Sequence, residues 1–267
     1  MAVGGSLALL SDPEPEREGT RVQLCGRFVA RVAGRRIEQE LPGRQGRLLF
    51  AYLAANRDRV ASRDELADAL WPRGLPSTPE AALSALLSKL RRLLPHGAIE
   101  GRHAIRLELG RHPRVDVEAA RDGIHRAEAL IVAHDWHAAT GPTLVAHNIS
   151  QRRFLPGEEG PWIDELRREL EEIRVRALEC TARRSLGIGG AEVAVAERTA
   201  RRLIELSRYR ESGYAVLMEA LERQGNIAEA LRVYESLRGL LREELGAAPA
   251  PAVQRVHERL LTHDSAG

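Results

Sequence analysis

The chain has 267 residues, 43% of them hydrophobic, and a formal charge of +2; this is enough to bury two cores, and no apolar run approaches the roughly 18 residues that cross a bilayer. Two cysteines, Cys25 and Cys180, belong to no C-x-x-C pattern, which excludes a disulfide framework and a thiolate zinc site and fits a reducing cytoplasm. Lys89 is the only lysine, so 39 of the 40 basic residues are arginine; it follows Leu87 and Ser88 rather than a glycine, which excludes a P-loop and argues against Schiff-base chemistry.

The opening "MAVGGSLALLSDPEPEREGT" lacks a basic n-region and turns acidic and proline-rich, so residues 1–20 read as a disordered tail rather than a signal peptide. Residues 21–42 alternate apolar and polar, with Val22, Leu24, Phe28, Ala30 and Val32 on the apolar beat, and predict short antiparallel strands turning at Ala33-Gly34. From Arg44 the period becomes helical, with Leu48, Leu49, Tyr52 and Leu53 on one face. A second helix opens on a capping box, Ser62 with Glu65 three residues on, and stops at Pro72. After the loop "PRGLPSTPE", a second box is expected from Ser77 to Glu80.

The third helix, 79–94, sets leucines 83, 86, 87, 90, 93 and 94 on its core stripe. Its other face carries Ala81, Ser84, Ala85, Ser88 and Arg92, flanked by Lys89 and Arg91. The segment "GAIEGRHAIRLEL" then predicts a hairpin turning about Glu100-Gly101-Arg102. Strands, three helices and a hairpin are the order of a winged helix-turn-helix behind a small sheet.

Beyond 113 the pattern is helical throughout, predicting helices over 116–133, 162–186, 192–206, 212–223, 227–245 and 252–261. An offset of 34 residues superposes Val193 on Ile227, Ala196 on Ala230, Ala200 on Tyr234, Leu203 on Leu237 and Leu206 on Leu240. That is the tetratricopeptide period, and helical hairpins stacked into a short solenoid are its physical reading. The fold class is therefore mainly α: an α+β winged helix-turn-helix domain over 21–112 and an all-α, TPR-like helical-repeat domain over 113–267.

Charge divides along the same line. Residues 21–112 hold 16 arginines and one lysine against nine acids, a balance of +8, whereas 1–20 and 113–267 each carry −3. A basic excess confined to one segment is the electrostatic footprint of nucleic-acid binding.

At this level of detail the chain resembles a known family. The stretches "FLPGEEGPWIDELRRELEEIRVRALE" (154–179), "RYRESGYAVLMEAL" (208–221) and "GNIAEALRVYESLRGLLREELGAAPAP" (225–251) are similar to the bacterial transcriptional activator domain, BTAD. "ANRDRVASRDELADALWP" and "LSKLRRLL" resemble the OmpR-type winged helix that precedes it. Together they resemble SARP-type regulators. The resemblance implies a cytoplasmic, nucleoid-associated transcription activator that binds repeats in double-stranded DNA and recruits RNA polymerase. It also implies that the third helix enters the major groove, the wing meets the minor groove or backbone, and the loop 71–78, with Trp71, Arg73, Gly74 and Leu75, faces polymerase.

Small residues on the third helix let a backbone approach base edges, and Ser84 and Ser88 can meet donors or acceptors. Lys89, Arg91 and Arg92 are candidate phosphate or groove contacts, with Arg44 and Arg47 at the first helix, Arg63 at the second, and Arg102 and Arg106 on the wing. About six neutralised phosphates would give a slope of roughly −5 in log affinity against log salt. The near-neutral helical half is expected to dimerise or orient the winged helices. The competing reading is a TPR-like adaptor whose winged helix has lost specific DNA binding, favoured by the small, early-acidic face of Glu80, Ala81, Ser84 and Ala85. No catalytic, cofactor or metal site is expected: His134, His137, Asp135 and the distant His147 read as an ordinary helix boundary. Trp71, Trp136 and Trp162 read as core anchors.

Overall fold

In the computed structural model, residues 19–264 are described, with side chains through Thr262. The expected tail over 1–20 lies outside these except for Gly19 and Thr20, and Thr20 belongs to the fold. It is buried, its hydroxyl accepts from the Ala33 amide at 3.2 Å, and its carbonyl accepts from the Arg114 amide at 2.9 Å. The chain divides into two compact units, 1–115 and 116–267.

The first unit opens with a four-stranded sheet of order β3-β2-β1-β7. Strands β1 (Arg21–Gln23), β2 (Val29–Val32) and β3 (Arg35–Arg36) run antiparallel, and β7 (Arg114–Val115) joins β1 in parallel. Val22 pairs with Ala30 on one side and Val115 on the other, and all three are buried. The unit therefore extends through Val115, past the expected end at 112, because its last strand completes the first sheet. The turn at Ala33-Gly34 has positive φ at both residues, 47° and 79°, the geometry that matches strand twist in a two-residue hairpin.

Helices α1 (Gly43–Ala55), α2 (Arg63–Leu70) and α3 (Pro79–Leu93) follow. Leu48, Leu49, Leu66, Leu70, Leu83, Leu87 and Leu90 are buried between them; Leu86 and Leu93 on the α3 stripe are half-buried. The capping box at Ser62 is formed in both directions. The second expected box is not. Helix α3 starts after Thr78 with Pro79 in its first turn and no side-chain cap, because the Glu80 carboxylate is drawn to Arg63 instead, 2.8 Å away. A second sheet, order β4-β6-β5, carries the wing. Its strands are β4 (Ala61–Ser62), β5 (Ile99–Glu100) and β6 (Ala104–Leu107).

The second unit is helical: α4 (Asp116–Val132), α5 (Thr140–Ser150), α6 (Pro161–Ile188), a 3-10 turn (Gly190–Glu192), α7 (Val193–Leu206), α8 (Glu211–Arg223), α9 (Ile227–Leu245) and α10 (Pro251–Asp264). Helix α5 has no counterpart in the sequence reading. Its segment "TGPTLVAHNIS" is rich in glycine, proline and β-branched residues, all weak helix formers, so packing against α4 and α6 rather than propensity holds it. The 34-residue repeat is visible in burial. Ala196, Ala200 and Leu203 are buried, as are their counterparts Ala230, Tyr234 and Leu237, and Leu206 and Leu240 are both half-buried.

Arginine–carboxylate forks tie the helices. Arg121 to Glu169 (2.6 and 2.8 Å) and Arg176 to Glu128 (2.7 and 2.5 Å) cross between α4 and α6, and Arg259 to Glu222 joins α10 to α8. Trp136 lies half-buried against Gly187, where an added Cβ would fall 2.4 Å from the indole.

Candidate nucleic-acid interface

The exposed flank of α3 is the one the sequence marks out. Ala81, Ser84, Ala85, Ser88, Lys89 and Arg92 are all exposed, opposite the buried leucines. Lys89 and Arg92 make no ion pair or side-chain hydrogen bond among the described residues. Their cationic ends stand in solvent, where a phosphate would add a partner without displacing one.

The other two cations nearest this flank are engaged inside the unit. The Arg63 side chain is only 17% exposed. Its guanidinium donates to the Glu80 carboxylate (2.8 Å), the Ser84 hydroxyl (2.7 Å), the Glu80 carbonyl (3.3 Å) and the Arg102 carbonyl (3.4 Å). Arg91 donates to the Gly101 carbonyl at 2.6 Å and more weakly to that of Ile99 at 3.5 Å. Two guanidinium groups, one from α2 and one from α3, therefore hold successive carbonyls of the wing turn. Gly101 makes that turn possible: its φ is +83°, and a Cβ there would sit 1.8 Å from the Ala104 carbonyl oxygen.

The wing itself is a short hairpin with Ile99 opposite Leu107 and Glu100 opposite Arg106. Arg106 pairs with Glu100 (3.2 Å) and Glu108 (2.9 Å), so two carboxylates already balance its charge. The Arg102 side chain at the tip is exposed and has no partner among the described residues. At the start of α1, Arg44 and Arg47 are exposed, and the Arg47 guanidinium lies 6.0 Å from the Phe28 ring centroid. The structure thus gathers Ser84, Arg63, Arg91 and the Arg102 backbone at the junction of α3 and wing. It leaves Lys89, Arg92 and Arg102 as outward cations.

The loop between α2 and α3 presents Arg73, Gly74 and Leu75 to solvent, Leu75 at 56%, with Trp71 half-buried at its base. The sequence places Glu80 in a capping box and on an acidic face; its pairing with Arg63 is not legible there, although Glu80 lies one helical turn before Ser84 on the same flank.

Behind the interface, Tyr52 of α1 donates its hydroxyl to Glu65 of α2, and Arg59 donates to the same carboxylate and to the Tyr52 oxygen. Burial, then the Glu65 carboxylate, pushes the Tyr52 phenol up to about 12. The Arg59 guanidinium holds Glu65 below the usual carboxylate range. Among the described residues no cluster of three His, Cys, Asp or Glu could hold a metal ion, and no helix is long and apolar enough to cross a membrane. His134 stacks on Trp136 instead, ring centroids 5.0 Å apart.

Comparison with known proteins agrees with this architecture. Residues 115–261 match the bacterial transcriptional activator domain. The regulatory protein AfsR of Streptomyces coelicolor is 36% identical over 226 residues, covering 83% of this chain and 22% of that protein. The transcriptional regulatory protein EmbR of Mycobacterium tuberculosis H37Rv is 27% identical over 234 residues, covering 80% of this chain and 57% of EmbR. A solved structure of Mycobacterium tuberculosis EmbR in complex with a low-affinity phosphopeptide shares the fold, with a TM-score of 0.76 at 20% identity, over 92% of this chain and 65% of that one. The chain spans only about a fifth of the AfsR proteins, 22% in both Streptomyces examples. With more than half its length matched, the chain belongs to the bacterial transcriptional activator domain family, that of SARP-type proteins.

Proposed function

We propose that this regulator binds double-stranded DNA with α3 in the major groove and the wing against the adjacent backbone. The observation that carries the reading is the split among its cations. Lys89, Arg92 and Arg102 face outward unpaired, while Arg63 and Arg91 are consumed in fixing the wing to α2 and α3. Ser84 and Ser88 sit on the same exposed flank, where hydroxyls can meet base edges. Arg44 and Arg47 extend the contact along the backbone, and Arg106 contributes least because Glu100 and Glu108 neutralise it. Phosphate contacts set register and most of the affinity, so sequence choice falls to the small residues of α3 and to DNA shape.

Activation is part of the proposal. The exposed loop of Trp71, Arg73, Gly74 and Leu75 offers RNA polymerase a surface, and the helical unit dimerises or orients the winged helices in the cytoplasm, on the nucleoid. No catalytic role is assigned. The test is selection of sheared genomic DNA by the purified protein at low and moderate salt, beside the variant K89A/R92A. A repeated motif that the variant loses supports the proposal, and the variant should flatten the salt slope by about 2. Recovery without a motif, unchanged in the variant, would favour the adaptor reading, in which Glu80 and the small face of α3 meet a protein instead.

A further inference from the structure

The register of the first sheet lines up four arginines. Arg36 pairs with Arg31, Arg31 with Arg21, and Arg21 with Arg114, one from each strand of the order β3-β2-β1-β7. Residues directly opposite in a sheet share a face, so the four side chains form one row across it. At the strand spacing of about 4.8 Å the row is roughly 14 Å long. Their sequence neighbours Val22, Ala30, Val32 and Val115 are buried on the other face.

Like charges placed directly opposite destabilise a strand pair, and at Arg21 and Arg31 little offsets them. Arg36 is paired with Glu38, and burial notwithstanding, hydrogen bonding from Arg36 holds that carboxyl below its usual range. Arg21 has only a 3.5 Å contact to the Gln23 amide oxygen, and Arg31, in the middle with an arginine on each side, has no side-chain partner among the described residues. Arg114 has other interactions and Arg36 has Glu38, so the unbalanced part of the row is its middle, Arg31 and Arg21.

The row is also separate from the α3 flank. Arg35 stands opposite buried Val32, hence on the inner side of the sheet, and from there it donates to the carbonyl of Leu93 at the end of α3 at 3.2 Å. The inner face thus looks toward the helices and the arginine row looks away from them. We propose that this row is a docking surface for an acidic helix of a partner protein, distinct from the DNA-binding face. A helix fits because carboxylates at i and i+4 stand about 5–6 Å apart along it, close to the inter-strand step of the arginines. Charge complementarity then replaces repulsion along the row by pairing.

The experiment uses the full chain and a fluorescein-labelled 20-residue helical peptide bearing glutamate at every fourth position, with its all-glutamine counterpart as control. Fluorescence anisotropy should show binding of the glutamate peptide alone, weakened about five-fold in R21Q/R31Q, while affinity for a random-sequence duplex changes less than about two-fold. K89Q/R92Q should do the reverse. R31Q should also raise the melting midpoint at low salt by a few degrees, an advantage that shrinks as salt screens the row. A wild-type chain that ignores the peptide, a double variant that binds it equally well, or an R31Q that melts lower would each overturn the proposal. An equal loss of duplex and peptide affinity would assign the row to DNA and overturn it too.

Discussion

Arg63 and Arg91 show why a basic residue on a recognition surface is not thereby a contact. Both stand where a phosphate-binding cation is expected, yet Arg91 donates to the Gly101 and Ile99 carbonyls of the wing, and Arg63 donates chiefly to Glu80 and Ser84 and more weakly to the Arg102 carbonyl. On the proposed DNA-binding reading, their effect on DNA runs through wing position, which gives them a signature different from that of Lys89 or Arg92. Replacing Arg91 with alanine should lower DNA affinity several-fold, yet leave the salt slope within about one-half of wild type, because no phosphate partner is lost. Filter binding across a salt series separates the two patterns; a slope reduced by a full unit would return Arg91 to the contact set. Sequence alone could not distinguish these roles, since Arg91 and Arg92 are adjacent and chemically identical. What separates them is the helical turn, which points one at Gly101 and the other at solvent.

Among elements, the α1–α2 junction carries two opposed pH dependences. Glu65 caps its own helix through Ser62 and accepts from both Tyr52 and Arg59. With its folded-state pKa lowered from the ordinary 4.5, chiefly by the Arg59 hydrogen bond, this carboxylate contributes stability that is complete above 4.5 and lost as pH falls through the lower folded value. Tyr52 has the opposite sense. Raised from 10.0 to about 12, chiefly by burial, it contributes stability that is complete below 10.0 and lost as pH rises toward 12. Denaturant melts from pH 3 to 12 should show both losses, with E65Q flattening the acid limb and Y52F the alkaline one. The Ser62 box was readable because its two partners are three residues apart. The Ser77–Glu80 box carried the same spacing and failed, because the Arg63 that captures Glu80 comes from 17 residues upstream. Local pattern holds until a distant charge outbids it, and α5 is the same lesson in packing, a helix its own residues do not favour.

For the whole molecule, the repeat and the charge division were both visible in the linear chain, because each is a property of many residues summed. The limit of the first unit was not, since β7 is two residues long and pairs with a strand more than ninety positions earlier. Val115 is 1% exposed and the Arg114 amide bonds to Thr20. A fragment of residues 19–112 should therefore be less stable than 19–115 by about 2–4 kcal/mol, the sum of a buried valine and a backbone hydrogen bond. Urea melts of the two fragments measure this, and equal midpoints would show β7 to be ornamental to the fold.

The two cysteines carry a practical consequence. Cys25 is fully buried and Cys180 nearly so, and burial pushes the Cys180 thiol up to about 12. Burial keeps both sulfurs from reagents, and at neutral pH Cys180 stays a thiol. A single cysteine introduced at exposed Ser88 or Arg102 would be the one reactive thiol in the native protein, so maleimide dyes or spin labels could be attached to α3 or the wing tip without removing either natural cysteine.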